Sequence, residues 1–79
     1  MTVTQVKAEI LKTLTDAVEV AQPVTEQTHL IRDLGLSSME TMMVITDLED
    51  QFGIRIPASR LRSVQTVGDL MEIVIGALR

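Results

Sequence analysis

Apolar residues recur at spacings of three and four through three separate stretches of this chain, and that period dictates helices. Val3, Val6, Ile10 and Leu14, widened by Leu11 and Val18, give an amphipathic helix over residues 3–18, with Thr2 or Thr4 to cap its start. A second stripe of Met42, Ile45, Leu48 and Phe52, with Val44 beside it, predicts a helix from about Ser38 to Phe52, ended by Gly53. The third stripe, Val67, Leu70, Met71, Val74 and Leu78, follows a Thr66-x-x-Asp69 cap and tolerates Gly68 in its first turn. Ile54-Arg55-Ile56-Pro57 alternates too briefly for a strand, and Ala58 to Arg62 suffices for one helical turn. The expected fold is all-α: a small bundle of three long helices plus one short helix, forming a single domain over residues 1–79. Periodicity leaves the packing order open.

Between the first two helices, Val20 to Leu36 has no helical period and contains Pro23, Thr25 and Thr28. Its apolar residues Val24, Leu30, Ile31, Leu34 and Leu36 crowd toward its end, the pattern of a loop pinned across a core. Roughly 17 structureless residues are unusual in so small a domain, and such loops are commonly functional. Gly35 supplies the conformational freedom for a turn into the second helix.

A chain of 79 residues buries only about 60% of its unfolded surface, so nearly every periodic apolar position has to contribute. With one aromatic, Phe52, the core must be aliphatic and methionine-rich. The absence of cysteine excludes disulfides, thiolate catalysis and the commonest zinc sites. His29 is the only histidine; without convergent ligands it reads as a solvent-facing loop residue with no chemistry, and no metal is expected. A net charge of -4 argues against nucleic-acid binding. No apolar run approaches the ~20 residues of a membrane span, and the N-terminus lacks a basic-then-apolar signal. The expectation is a soluble, cytoplasmic monomer.

With conventional active sites nearly excluded, the run Asp33-Leu34-Gly35-Leu36-Ser37-Ser38-Met39-Glu40 holds the remaining chemistry. Ser37-x-x-Glu40 is a capping-box pattern, which occupies the Ser37 hydroxyl with the helix's own amides. Ser38 then takes the first helical position, where a side chain projects outward and free amides plus the helix dipole favour negative charge. A serine so placed suggests a residue that is modified and presented, not one that attacks. The residues alone leave open that both serines simply start a helix.

The chain resembles the acyl carrier proteins. That family typically shows Asp-Leu-Gly-x-Asp-Ser-Leu before a helix, then a buried Phe, an x-Ile-Pro segment and a Thr-Val start to the last helix. Here these read Asp33 to Met39, Phe52, Arg55-Ile56-Pro57 and Thr66-Val67, in order and without gaps. The resemblance implies that a phosphopantetheinyl transferase moves 4'-phosphopantetheine from coenzyme A to Ser38. It implies a carrier, not an enzyme, that holds an acyl intermediate as a thioester for acyl-loading, elongating or offloading enzymes. Phe52 to Pro57 and the Ser38-Met39 pair are also similar to D-alanyl carrier proteins, which keeps an aminoacyl or peptidyl carrier as an alternative. A cofactor-free helical interaction module is the alternative outside the family.

Departures from the family pattern carry information of their own. The family's Asp before the modified serine is Ser37 here, which keeps a cap and loses a carboxylate. A position usually Glu is Met43. Met39 and Met43 are spaced i, i+4 and either form an adaptable contact patch or belong to the core. The second helix keeps Glu40, Asp47, Glu49 and Asp50, and in carrier proteins this helix is read by basic patches on partner enzymes. Partner recognition is therefore assigned to Met39, Glu40, Met43, Asp47 and Asp50. Arg55, Arg60 and Arg62 make a basic segment where fatty-acid carriers tend to be acidic, which points to a specialised polyketide or fatty-acid-type pathway.

Overall fold

Each long helix begins at a reciprocal cap. In the computed structural model, which describes residues 2–18 and 23–79, the helices are α1 (Val3–Ala17), α2 (Ser38–Phe52), α3 (Ala58–Leu61) and α4 (Val67–Leu78). Thr2, Ser37 and Thr66 each accept from the backbone three residues on, and Gln5, Glu40 and Asp69 each answer at the cap's own amide. Thr2, not Thr4, is thus the first cap. α2 ends at Gly53, whose φ of 65° lies in the left-handed region that favours glycine. Residues 54–57 run extended without forming a strand. Val20, at the expected start of the connection, lies outside the described residues.

α1 packs against both α2 and α4. Thr13 donates to Gln51 (2.9 Å), and Gln51 in turn donates to Glu9 (2.8 Å), so the middle of α1 meets the end of α2, while Ala17 at the end of α1 lies by Glu40, Met43 and Val44; the two run antiparallel. Ile10, Leu14, Leu48, Leu70, Val67 and Val74 are fully enclosed at the centre. Truncating one of these leucines or isoleucines to alanine removes about 2–5 kcal/mol, a large part of what so small a domain has. Phe52 is half-buried against this cluster.

The long connection is fastened at two levels. Leu30, Leu34 and Leu36 are buried, whereas Ile31 faces outward at 54% exposure, contrary to the expectation that it pins the loop. Residues 29–34 form a tight turn that directs neighbouring side chains to opposite sides, so only one of the Leu30–Ile31 pair reaches the core. The backbone is tied to the start of α4: Leu30 donates to Gln65 (2.9 Å), Val67 to Thr28 (2.9 Å) and Gly68 to Glu26 (2.8 Å). At Gly68 a Cβ would sit 3.0 Å from the Glu26 carbonyl oxygen, so the close approach uses the missing side chain. Glu26 also pairs with Lys7 at 3.3 Å, an exposed bridge of small energetic weight.

Three apolar or acidic residues sit elsewhere than their spacing predicts. Met42, expected in the inner stripe of α2, is 48% exposed. The buried side of α2 is centred between Val44, Ile45 and Leu48, and at 100° per residue Met42 lies roughly 100° from that centre. Leu78, expected on the buried face of α4, is 42% exposed because the last turn runs out beside Val3, itself exposed. Glu49 turns away from the acidic face: its carboxylate accepts the Ile56 amide at 2.7 Å and holds the 54–57 segment to α2.

His29 is half-buried and structurally engaged, where the sequence suggested a solvent-facing residue. Its Nδ1 accepts from the amides of Arg32 (2.9 Å) and Ile31 (3.2 Å), which places the ring proton on Nε2. Its own amide donates to Asp33 (2.7 Å), and its carbonyl accepts from Asp33 and Leu34. Replacing His29 by Ala should cost about 0.5–1.5 kcal/mol and speed exchange of the Ile31 and Arg32 amides. His29→Asn, which keeps an acceptor at the δ position, should recover most of that stability in urea titration. Equal losses in the two variants would mean that the ring acts by packing alone.

Asp69 supplies a pH dependence. Its carboxyl is held below the ordinary value of 3.8, first by the Thr66 amide and then by the Gln65 amide, both at 3.1 Å. The charged form is favoured by folding, so this stabilisation is complete above the unfolded-state value and is lost as pH falls through the lower folded one. Asp69→Asn should therefore flatten the decline of stability below about pH 4, measured by denaturant midpoints across an acid series.

Candidate functional site

The start of α2 assigns the two serines different work. Ser37 has an extended backbone at the cap, and its Oγ accepts the Glu40 amide at 3.1 Å. Glu40 returns the bond, taking the Ser37 amide at 3.1 Å, while Thr41 Oγ donates to the Ser37 carbonyl at 2.9 Å. Ser37 is thus engaged through its hydroxyl, amide and carbonyl. Ser38, one residue on, is exposed and its hydroxyl makes no hydrogen bond among the described residues. The amides of Ser38 and Met39 likewise have no partner among the described residues, as expected at the first two positions of a helix. An anionic group attached to Ser38 would meet two free N–H donors and the positive end of the helix dipole.

The preceding turn sets this helix start in place. Gly35, at φ 69°, reverses the chain after the His29 turn, and Leu36 is buried immediately before the cap. Leu36 is therefore the anchor that fixes where Ser37 and Ser38 emerge.

The residues assigned to partner recognition share one arc. Met39, Glu40, Met43, Asp47 and Asp50 are all exposed, and at 100° per residue they fall within roughly 100° of the outer surface of α2. Met39 and Met43 are 74% and 61% exposed, which decides the open question of patch or core in favour of the surface for both. Glu40 is partly committed, since its carboxylate closes the capping box. Beside this arc, Ala17, Leu36 and Val44 floor an open groove of about 140 Å³ whose rim carries Glu40, Met43 and Asp47. Ser38 itself lies roughly 100–140° round the helix from Met39 and Met43.

Met42 is the neighbour that sequence reasoning missed. It stands one turn beyond Ser38, at i+4 on the same side, and is exposed. Its apolar character and its spacing to Ile45 argued for the core. Nothing in its local sequence separates it from the inner stripe, because helix neighbours only 100° apart can both be buried, as Val44 and Ile45 are.

Comparison with known proteins identifies the family. A family profile described as a phosphopantetheine attachment site matches residues 3–74. A probable acyl carrier protein of Caulobacter vibrioides is 44% identical over 54 residues, 68% of this chain and 63% of that protein. An acyl carrier protein of Saccharopolyspora erythraea is 36% identical over 55 residues, 70% of this chain and 58% of that one. The chain thus spans under two thirds of the length of these relatives. A putative acyl carrier protein from Mycobacterium tuberculosis superposes with a TM-score of 0.83 at 30% identity, over 90% of this chain and 96% of that one. A serine-led helix start with free amides, on a four-helix scaffold matched nearly end to end, leads to one assignment: the chain belongs to the acyl carrier protein family, whose members are carriers and not enzymes and bear a covalently attached 4'-phosphopantetheine.

Proposed function

We propose that Ser38 carries the arm and that this chain presents acyl intermediates to a dedicated set of enzymes. One observation carries the proposal: the Ser37 hydroxyl is bound at the Glu40 amide, while the Ser38 hydroxyl is exposed and unbound. When attached, phosphopantetheine supplies the thiol that holds an acyl group as a thioester. The chain's own part is to keep the Ser38 hydroxyl accessible to a phosphopantetheinyl transferase and to offer the Ser38 and Met39 amides to the phosphodiester. A helix N-terminus favours such a charge by about 0.3–1 kcal/mol when exposed. Tethering through one residue keeps an intermediate at high effective concentration for successive enzymes.

The outer arc of α2 is then the surface that loading, elongating or offloading enzymes read. Asp47 and Asp50 steer basic partners, and Met39 and Met43 give a deformable apolar contact on the Ser38 side of those charges. Met43 stands where the family usually has an acid, and Arg55, Arg60 and Arg62 are exposed where fatty-acid carriers tend to be acidic. These departures support a specialised polyketide or fatty-acid-type pathway over general fatty-acid synthesis.

Incubation with coenzyme A and a broad-specificity transferase, read by intact mass, tests the attachment. The native chain should gain one arm; Ser38→Ala should gain none and keep its helical circular dichroism. Modification of Ser38→Ala would sink the assignment. Ser37→Ala should still accept the arm but lose about 0.5–2 kcal/mol, the usual cost of an N-cap.

Recognition is tested at Met43. Because the site is exposed, Met43→Glu should change stability by less than about 0.5 kcal/mol in urea. The variant should nonetheless be a poorer substrate for the native partner enzyme. Unchanged transfer would remove Met43 from the recognition surface.

A further inference from the structure

Where the 55–60 segment meets the second half of α4, the chain has a second surface of opposite sign. Arg55 and Arg60, with Pro57 between them in sequence, stand over a floor of Ile73, Gly76 and Ala77, enclosing an open pocket of about 180 Å³. Both arginines are exposed, and neither forms a salt bridge among the described residues. No carboxylate lines the pocket, although the whole chain carries a net charge of -4. Two unpaired guanidinium groups on an apolar floor combine directional recognition of carboxylates with space for a side chain.

We propose that this α3–α4 pocket is a docking site for a partner protein that presents carboxylates around a protruding apolar side chain. The apolar residue fills the floor, and Arg55 and Arg60 take the flanking acids. Charge complementarity selects this occupant. A bare anion would leave the Ile73–Ala77 floor unused. A second copy of the chain would bring together two bodies of net charge -4, which repel at long range. The site is separate from the outer arc of α2, so the carrier addresses partners with two signs of charge. The reading does not depend on Ser38 or on the arm.

The floor has a useful property for its own test. A Cβ built on Gly76 meets nothing within 4 Å, so a side chain can be introduced at the edge of the pocket without a clash at its first carbon. In a helix, replacing that glycine also favours folding, so lost binding in Gly76→Leu cannot be charged to unfolding. The probe is a synthetic amphipathic peptide with two glutamates flanking one leucine. Controls are the same peptide with lysines in place of the glutamates, and polyglutamate. Each is titrated into the unmodified, isotope-labelled full chain and followed by amide chemical shifts.

The acidic peptide should give saturable shifts confined to residues 55–61 and 73–77. Arg55→Glu with Arg60→Glu should weaken it on the order of tenfold or more, as should Gly76→Leu, with helicity retained in both. Polyglutamate should bind more weakly than the peptide. Shifts spread equally over Lys7, Lys12 and Arg79 would overturn the proposal, as would an affinity indifferent to the arginine and glycine variants. No shift at all would do the same. If the same amides moved with protein concentration alone, the occupant would be a second copy and the partner proposal would fall.

Discussion

Three backbone hydrogen bonds between the long connection and the start of α4 hold the site together. Leu30 to Gln65, Val67 to Thr28 and Gly68 to Glu26 give residues 26–30, which form no helix or strand, somewhere to place their polar backbone. With those bonds made, Leu30, Leu34 and Leu36 can be buried without stranding the amides beside them. Each fully buried leucine contributes about 1.5–3 kcal/mol, enough to offset much of the entropy of ordering such a stretch. Ser37 and Ser38 lie immediately downstream, so the placement of the exposed hydroxyl depends on a fastening made at the opposite end of the connection. The His29 ring completes this by capping the turn that links the two ends.

The regular elements were legible because their signals are local. Period, cap residue and terminal glycine coincide at Ser37–Gly53, and period and cap residue coincide again at the start of Thr66–Leu78. What escaped was decided by packing. Met42 satisfied the helical spacing, but which arc of α2 faces inward depends on where α1 and the connection sit, and the sequence alone left that open. Leu78 failed for a related reason: a periodic residue in a final turn is buried only if a neighbour extends as far. Ile31 and Leu30 are indistinguishable by composition, and only the geometry of the 29–34 turn separates them. His29 shows the reverse error, in which a lone histidine was judged against metal sites and not against the backbone amides that a ring nitrogen can accept.

Charge was read by count, and the structure sorts it by use. Of the four acids on α2, Glu49 is spent on the Ile56 amide and Glu40 is shared with the Ser37 cap. The carboxylates of Asp47 and Asp50 accept no hydrogen bond among the described residues. Free carboxylates are therefore concentrated in the second half of the outer arc, with Met39 and Met43 toward the serine. A partner approaching α2 meets its strongest electrostatic attraction well away from the hydroxyl and its apolar contact closer to it. On the reading proposed above, long-range attraction orients the encounter and short-range apolar contact completes it nearer Ser38.

The same sorting bears on why serine at position 37 is a workable replacement for the aspartate usual in the family. An aspartate cap would satisfy the Glu40 amide equally well and would interact favourably with the helix dipole. It would also place a full negative charge one residue from the position proposed to carry a phosphodiester. A serine hydroxyl holds the helix start as a neutral acceptor, so the field of the free Ser38 and Met39 amides is left to the attached group. The cap and the attachment point compete for one small pool of positive potential, and Glu40 already draws on it. Serine separates the two demands: geometry from residue 37, electrostatics for residue 38. What it gives up is a carboxylate that a transferase could engage, and on the proposed reading recognition before attachment then rests more heavily on the methionine and aspartate arc of α2.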